Sequence, residues 1–154
     1  MRITLDTNVL VSAFISKDGT CADVLDLVST FEEIELVLSQ DILSEFAEVM
    51  RRKEAVVRFK YDDKDITSFE GGVRGVAEII KVASNLKFVP EDPDDDMVVN
   101  TAIDGKAQFI VSGDRHLRRL KKVEKVRIVT PRSFLGIVAK SFGSLVVPEA
   151  DLGK

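Results

Sequence analysis

Four short apolar runs punctuate the chain: residues 2 to 5, 35 to 38 (Glu-Leu-Val-Leu), 108 to 111 (Gln-Phe-Ile-Val) and 127 to 130 (Arg-Ile-Val-Thr). Apolar runs this short fit strands buried on both faces of a parallel sheet. Between them, apolar positions recur at helical spacing and predict helices over Ala22 to Val28, Ser39 to Arg52, Asp63 to Ile80, Asp94 to Asp104 and Pro131 to Lys140. Strand and helix in alternation predict an α/β domain with a central parallel sheet. Ser39 reads as an N-cap, and the helix it opens carries the stripe Ile42, Phe46, Val49 and Met50, which Glu45 borders. Arg51, Arg52 and Lys53 read as its C-terminal end, where the helix dipole favours cations. In the third helix Ile66, Phe69, Val73, Val76 and Ile80 keep the spacing, but Gly71, Gly72 and Gly75 each weaken it by about 1 kcal/mol relative to alanine. A kinked helix and two short helices are both compatible with that pattern. Pro90 and Pro93 bracket an extended approach to the next helix, which opens with Asp94 and Asp95.

At 154 residues and 45% hydrophobic, the chain suits one domain with a substantial core. Residues 1 to 140 are expected to form it, with 141 to 154 as a C-terminal tail or edge strand. Nine Phe, one Tyr and no Trp assign aromatic residues to packing, which argues against an RNA-stacking sheet surface. One cysteine, Cys21, excludes an internal disulfide, and with a single histidine, His116, no Cys/His zinc site can assemble within the chain. Without a leader-like N-terminus or an apolar run near 18 residues, the expectation is a cytoplasmic protein that does not span a membrane. Net charge is -4, unevenly spread: residues 91 to 96 read Glu-Asp-Pro-Asp-Asp-Asp, whereas the stretch from Arg115 to Arg127 is rich in Lys and Arg. An acidic metal pocket rimmed by phosphate contacts has this distribution, and so do two ordinary solvated faces.

Position, more than number, marks out four of the acids. Asp6 follows Ile3-Thr4-Leu5 and Asp114 follows Phe109-Ile110-Val111, while Glu45 and Asp95 share helical stripes with Ile42, Val49, Val98 and Ala102. Unpaired charge is costly in such places. In parallel α/β sheets ligands bind beyond the carboxyl ends of the strands, where Asp6 and Asp114 stand, and the two helical acids are placed to face the same crevice. Carboxylates crowded there repel unless cations bind between them. Two such ions can activate water and stabilise the leaving oxygen of a phosphodiester. Taken singly, each acid has an ordinary reading as a cap, turn or surface charge; only the joint placement points to chemistry.

Leu-Asp-Thr-Asn-Val-Leu at 5 to 10, Ser39 through Glu45, Asp-Pro-Asp-Asp-Asp at 92 to 96, Val-Ser-Gly-Asp-Arg-His-Leu at 111 to 117 and Thr-Pro-Arg-Ser-Phe-Leu at 130 to 135 form an ordered set. In this set the chain resembles the PIN-domain ribonucleases, many of them VapC-like toxins of toxin-antitoxin pairs, over roughly residues 2 to 138. The resemblance implies a three-layer sandwich whose central parallel sheet has four or five strands flanked by helices. It further implies that Asp6, Glu45, Asp95 and Asp114 hold Mg2+ or Mn2+, that Asn8 and Ser112 support the site, and that Asp92 lies just behind the ligands. An RNA substrate, a small antitoxin partner and a homodimer are implied in the same way. Arg115, Arg118, Arg119 and Lys122 follow Asp114 closely and are the candidates for phosphate contacts. Two other readings compete. A phosphoaspartyl phosphatase would use Asp6 as nucleophile but needs a second Asp where Asn8 stands. A catalytically silent RNA- or protein-binding module would keep the fold without turnover.

Overall fold

The computed structural model describes residues 1–90 and 92–142, so the tail expected at 141 to 154 lies outside the described residues from position 143 onward. Among the described residues one sheet of six strands forms in the order β3-β2-β1-β4-β6-β5. These are β1 (Arg2–Leu5), β2 (Glu35–Ser39), β3 (Ala77–Ile80), β4 (Phe109–Val111), β5 (Lys122–Val123) and β6 (Val126–Val129). The first four and β6 run parallel, whereas β5 pairs antiparallel with β6 as a two-residue edge. The helices are α1 (Thr7–Ile15), α2 (Thr20–Thr30), α3 (Gln40–Met50), α4 (Lys53–Phe59), α5 (Asp63–Val76), α6 (Pro93–Asp104), α7 (Arg115–Leu120) and α8 (Pro131–Phe142). The fold is thus the expected α/β sandwich, with six strands where the resemblance implies four or five; β3 and β5 are not among the four apolar runs.

From β1 the chain steps outward to β2 and β3, then crosses back to β4 and outward again to β6. Right-handed crossovers therefore send the helices of the two halves to opposite faces. Accordingly α1 packs on α2 and α3, and α3 on α5, while α6 lies across β1, β2 and β4. Leu36, Val37 and Leu38 are buried on consecutive positions, as are Phe109, Ile110 and Val111, because helices cover both faces of these strands. The order of strands reverses between β1 and β4, and the carboxyl ends of these two neighbours open the crevice in which such folds place their ligands.

Several elements differ from the sequence reading. Helix α1 is missing from it, because Val9, Leu10, Val11, Ala13, Phe14 and Ile15 are too continuously apolar for one face to stand out. The second predicted helix stops at Met50, and Lys53 opens α4, so that cation sits at a helix start rather than at an end. The third stops at Val76; Ala77 to Ile80 leave the helical pattern to pair with β2 in the register Leu36↔Ala77 through Ser39↔Ile80. Three glycines weaken the end of α5, and the open edge of β2 offers the backbone a full ladder, so sheet pairing prevails over helical periodicity.

Candidate active site

Asp6 directly follows β1 and is buried at the N-terminus of α1, its own N–H donating to the Val111 carbonyl of β4 at 3.0 Å. Ser112, fully buried just beyond β4, donates from Oγ to Asp6 Oδ2 at 2.7 Å and accepts from the Asp114 N–H at 2.9 Å. One hydroxyl thus fixes both strand-end acids. Asp114 caps α7, its Oδ1 accepting from the N–H groups of His116 at 2.7 Å and Leu117 at 3.3 Å. Glu45, half-buried on α3, accepts at Oε2 from the Thr7 hydroxyl at 2.8 Å. A buried hydroxyl pair, Thr101 and Ser39 at 3.0 Å, ties α6 to the start of α3. The helices carrying Asp95 and Glu45 are therefore joined directly.

Asp95 is the third residue of α6 and is buried, and its Oδ2 has no hydrogen-bond partner among the described residues. Burial foremost, and then the charges of Asp114, Asp92, Asp6 and Glu45, push its carboxyl up to about 7. Burial likewise raises Asp6; the Ser112 bond opposes it, the charge of Asp114 adds to it, and the neighbouring amides of Asn8 and Thr7 favour the ion without closing a capping bond. Glu45 is raised by burial against the Thr7 bond, with Asp94, Asp6 and Asp92 adding their repulsion. Each of these groups feels the field of others in the set, so the structure brings the four acids into one electrostatic neighbourhood. Among the described residues no three acidic, histidine or cysteine side chains already form a closed cage for an ion. The buried, unpartnered Asp95 oxygen and an all-carboxylate donor set nevertheless fit a hard divalent cation, which would relieve the charge and supply the missing partner.

The acidic run 92 to 96 divides by contact. Asp92 caps α6 through the Asp94 N–H at 3.0 Å, Asp94 is exposed, and Asp96 accepts from Phe88 and Val89 N–H groups at 2.6 and 2.8 Å. Asn8 is exposed at the rim. Arg115, Arg118 and Arg119 project from α7 and Lys122 from β5, all exposed. His116 is half-buried with its Nδ1 buried and unpartnered among the described residues. Arg51 pairs with Asp63 at 2.6 Å. Sequence reasoning missed Thr7, which stands inside the Asp-Thr-Asn motif, because it found no helix there to aim the hydroxyl. A groove of about 850 Å³, lined by Phe14, Leu25, Phe59, Tyr61 and Phe69 among others, holds none of the four acids.

A family model described as PIN domain matches residues 2–116, a span that contains all four acids. An uncharacterized protein of Methanocaldococcus jannaschii is 28% identical over 153 residues, covering 88% of this chain and 90% of that protein. A solved structure of VapBC2 from Rickettsia felis, bound to a DNA fragment from its promoter, matches with a TM-score of 0.56 at 18% identity, over 83% of this chain and 97% of the matched one. That last likeness is one of fold.

Proposed function

Given that the chain belongs to the PIN domain family, we propose that it is a Mg2+- or Mn2+-dependent ribonuclease that hydrolyses RNA phosphodiester bonds, and the toxin half of a toxin-antitoxin pair. The observation that carries the reading is the gathering of Asp6, Glu45, Asp95 and Asp114 at the β1/β4 switch point, with a buried Asp95 oxygen left unpartnered. These four residues would hold the metal. When bound, the metal supplies an activated water and charge stabilisation for the leaving oxygen.

The remaining roles belong to the chain itself. Ser112 keeps Asp6 and Asp114 in register, and Thr7 orients Glu45. Asp92 fixes the start of the helix that carries Asp95, and Asn8 lies at the rim. Arg115, Arg118, Arg119 and Lys122 would contact the RNA backbone, orienting the scissile phosphate over the acids. Because the site is preorganised by hydroxyls and caps, rate enhancement would be chiefly electrostatic. The toxin role and the small antitoxin belong to the same proposal, supported by the shared fold with VapBC2; the homodimer belongs to it as what the PIN resemblance implies, and a cytoplasmic location as the expectation from the sequence. No helix of the described residues is long and apolar enough to cross a membrane.

The test is cleavage of a labelled single-stranded RNA by the wild type and by Asp6→Asn across a Mn2+ series. The expected outcome is Mn2+-dependent cleavage that falls at least about 100-fold in the variant, as when a group stabilising the transition state is lost. Equal cleavage by both preparations, or cleavage that persists in chelator, rules the reading out.

A further inference from the structure

Asp96, Asn100 and Asp104 stand on one stripe of α6, four residues apart, and all three grip the connection between β3 and α6. Asp96 Oδ1 accepts from Phe88 and Val89 N–H groups at 2.6 and 2.8 Å. Buried Asn100 meets Leu86 in both directions, Oδ1 accepting from its N–H at 3.1 Å and Nδ2 donating to its carbonyl at 2.9 Å. Asp104 accepts from the Ala83 and Ser84 N–H groups at 2.7 and 2.8 Å and from the Ser84 hydroxyl at 2.5 Å. This segment lies outside the sheet ladder, so the helix side chains satisfy backbone groups that the ladder does not.

Asp96 directly follows Asp95 yet does different work. Its Oδ1 is engaged by two amides, whereas the neighbouring carboxylate buries a bare oxygen. Val89, one of the two donors, is itself anchored in the core at 1% exposure. The N–H groups of a helix's first turn lack the intrahelical acceptors that later turns have, and it is from this turn that Asp95 projects. We propose that Asp96 is a positioning residue for Asp95: by clamping Phe88 and Val89 against the first turn of α6, it sets where the Asp95 carboxylate stands relative to Asp6, Glu45 and Asp114. The proposal rests on the metal-binding reading of the four acids, and it predicts that a residue outside the ligand set governs metal affinity. Hydrogen bonds behind a metal site have that effect in general.

Asp96→Ala removes the acceptor of both bonds, whereas Asp96→Asn removes the charge and keeps a carbonyl oxygen in place. Amide exchange at Phe88 and Val89 and calorimetric Mn2+ binding are measured on the full chain. The alanine variant is expected to speed exchange at both amides and to weaken Mn2+ binding about 10-fold, with the asparagine variant close to wild type in both. If the alanine variant does not fold, Asp96→Glu keeps the charge but displaces the acceptor, and should bind Mn2+ more weakly than Asp96→Asn. Equal losses in the alanine and asparagine variants, or a glutamate variant that outperforms asparagine, would make the charge of Asp96 the operative feature and overturn the clamp. Unchanged Mn2+ affinity in Asp96→Ala, with the wild type binding normally, overturns the clamp alone. A wild type that takes up no Mn2+ overturns the metal reading and the clamp with it.

Discussion

At the residue scale the most consequential group is Asp95, an acid held where its charge is unwelcome. Its carboxyl titrates at about 7 in the folded chain against an ordinary value of 3.8. Between roughly pH 4 and pH 7 the unfolded chain therefore gives up this proton while the fold retains it, and the metal-free protein loses stability as pH rises through that window. Asp95→Asn removes the effect. At pH 8 its metal-free thermal midpoint should exceed that of the wild type by at least about 2–4 °C, the shift that 1 kcal/mol produces in a domain of this size, and the gain should vanish near pH 4. A variant no more stable than wild type at pH 8 would show that the carboxylate is accommodated by other means. Ser112 permits a complementary test, because its hydroxyl serves Asp6 and the Asp114 amide at once. Urea unfolding of Ser112→Ala should show a loss of about 1–3 kcal/mol, the cost of stranding buried polar groups, together with weaker Mn2+-dependent cleavage. Of these residues the sequence announces the acids and Ser112 but not Thr7, since a hydroxyl in a motif says nothing of which carboxylate it will meet.

Among the elements, those with a clear apolar rhythm could be read from the sequence, and those made by tertiary contact could not. Strands β1, β2, β4 and β6 and helices α2, α3, α6 and α8 follow their apolar patterns closely. Strand β3 forms only because β2 presents an edge, and β5 because the chain turns back at Glu124, with Lys121 and Glu124 at φ 59° and 53°. The end of α6 depends equally on a neighbour. A Cβ at Gly105 would lie 2.5 Å from Val37 Cγ1 and 2.9 Å from the Thr101 carbonyl oxygen, so the glycine lets α6 close onto β2. Gly105→Ala should cost about 1–3 kcal/mol in urea unfolding, as overpacked sites do, and an unchanged midpoint would mean that the helix end shifts freely. Helix α7 brings Arg118 and Arg119 one turn past Asp114. Replacing both with alanine should weaken binding of single-stranded RNA and lower the log-log salt slope by about 0.7 for each phosphate no longer neutralised. An identical salt series for wild type and variant would remove these arginines from the interface.

Across the whole molecule, strand order turns four separated acids into one neighbourhood. The reversal between β1 and β4 sets Asp6 beside the Asp114 turn, and α3 and α6, joined through Ser39 and Thr101, bring Glu45 and Asp95 to the same end of the sheet. That convergence was foreseeable because parallel strands place their carboxyl ends together. The division of the acidic run was less so: spacing alone favours Asp95, but only the structure shows Asp92 as a cap and Asp96 as a tether. Net charge of -4 likewise conceals an exposed cationic rim on α7 and β5 beside the acids, an arrangement suited to drawing in a polyanion. The most direct test of the central claim is Mn2+ uptake at about pH 7.5, above the Asp95 titration, followed by loss of the free-ion paramagnetic signal, in the wild type and in Asp95→Asn. Saturable uptake by the wild type is expected, with affinity at least about 10-fold weaker in the variant. Equal uptake by both, or none by the wild type, would contradict a shared cation among the four acids.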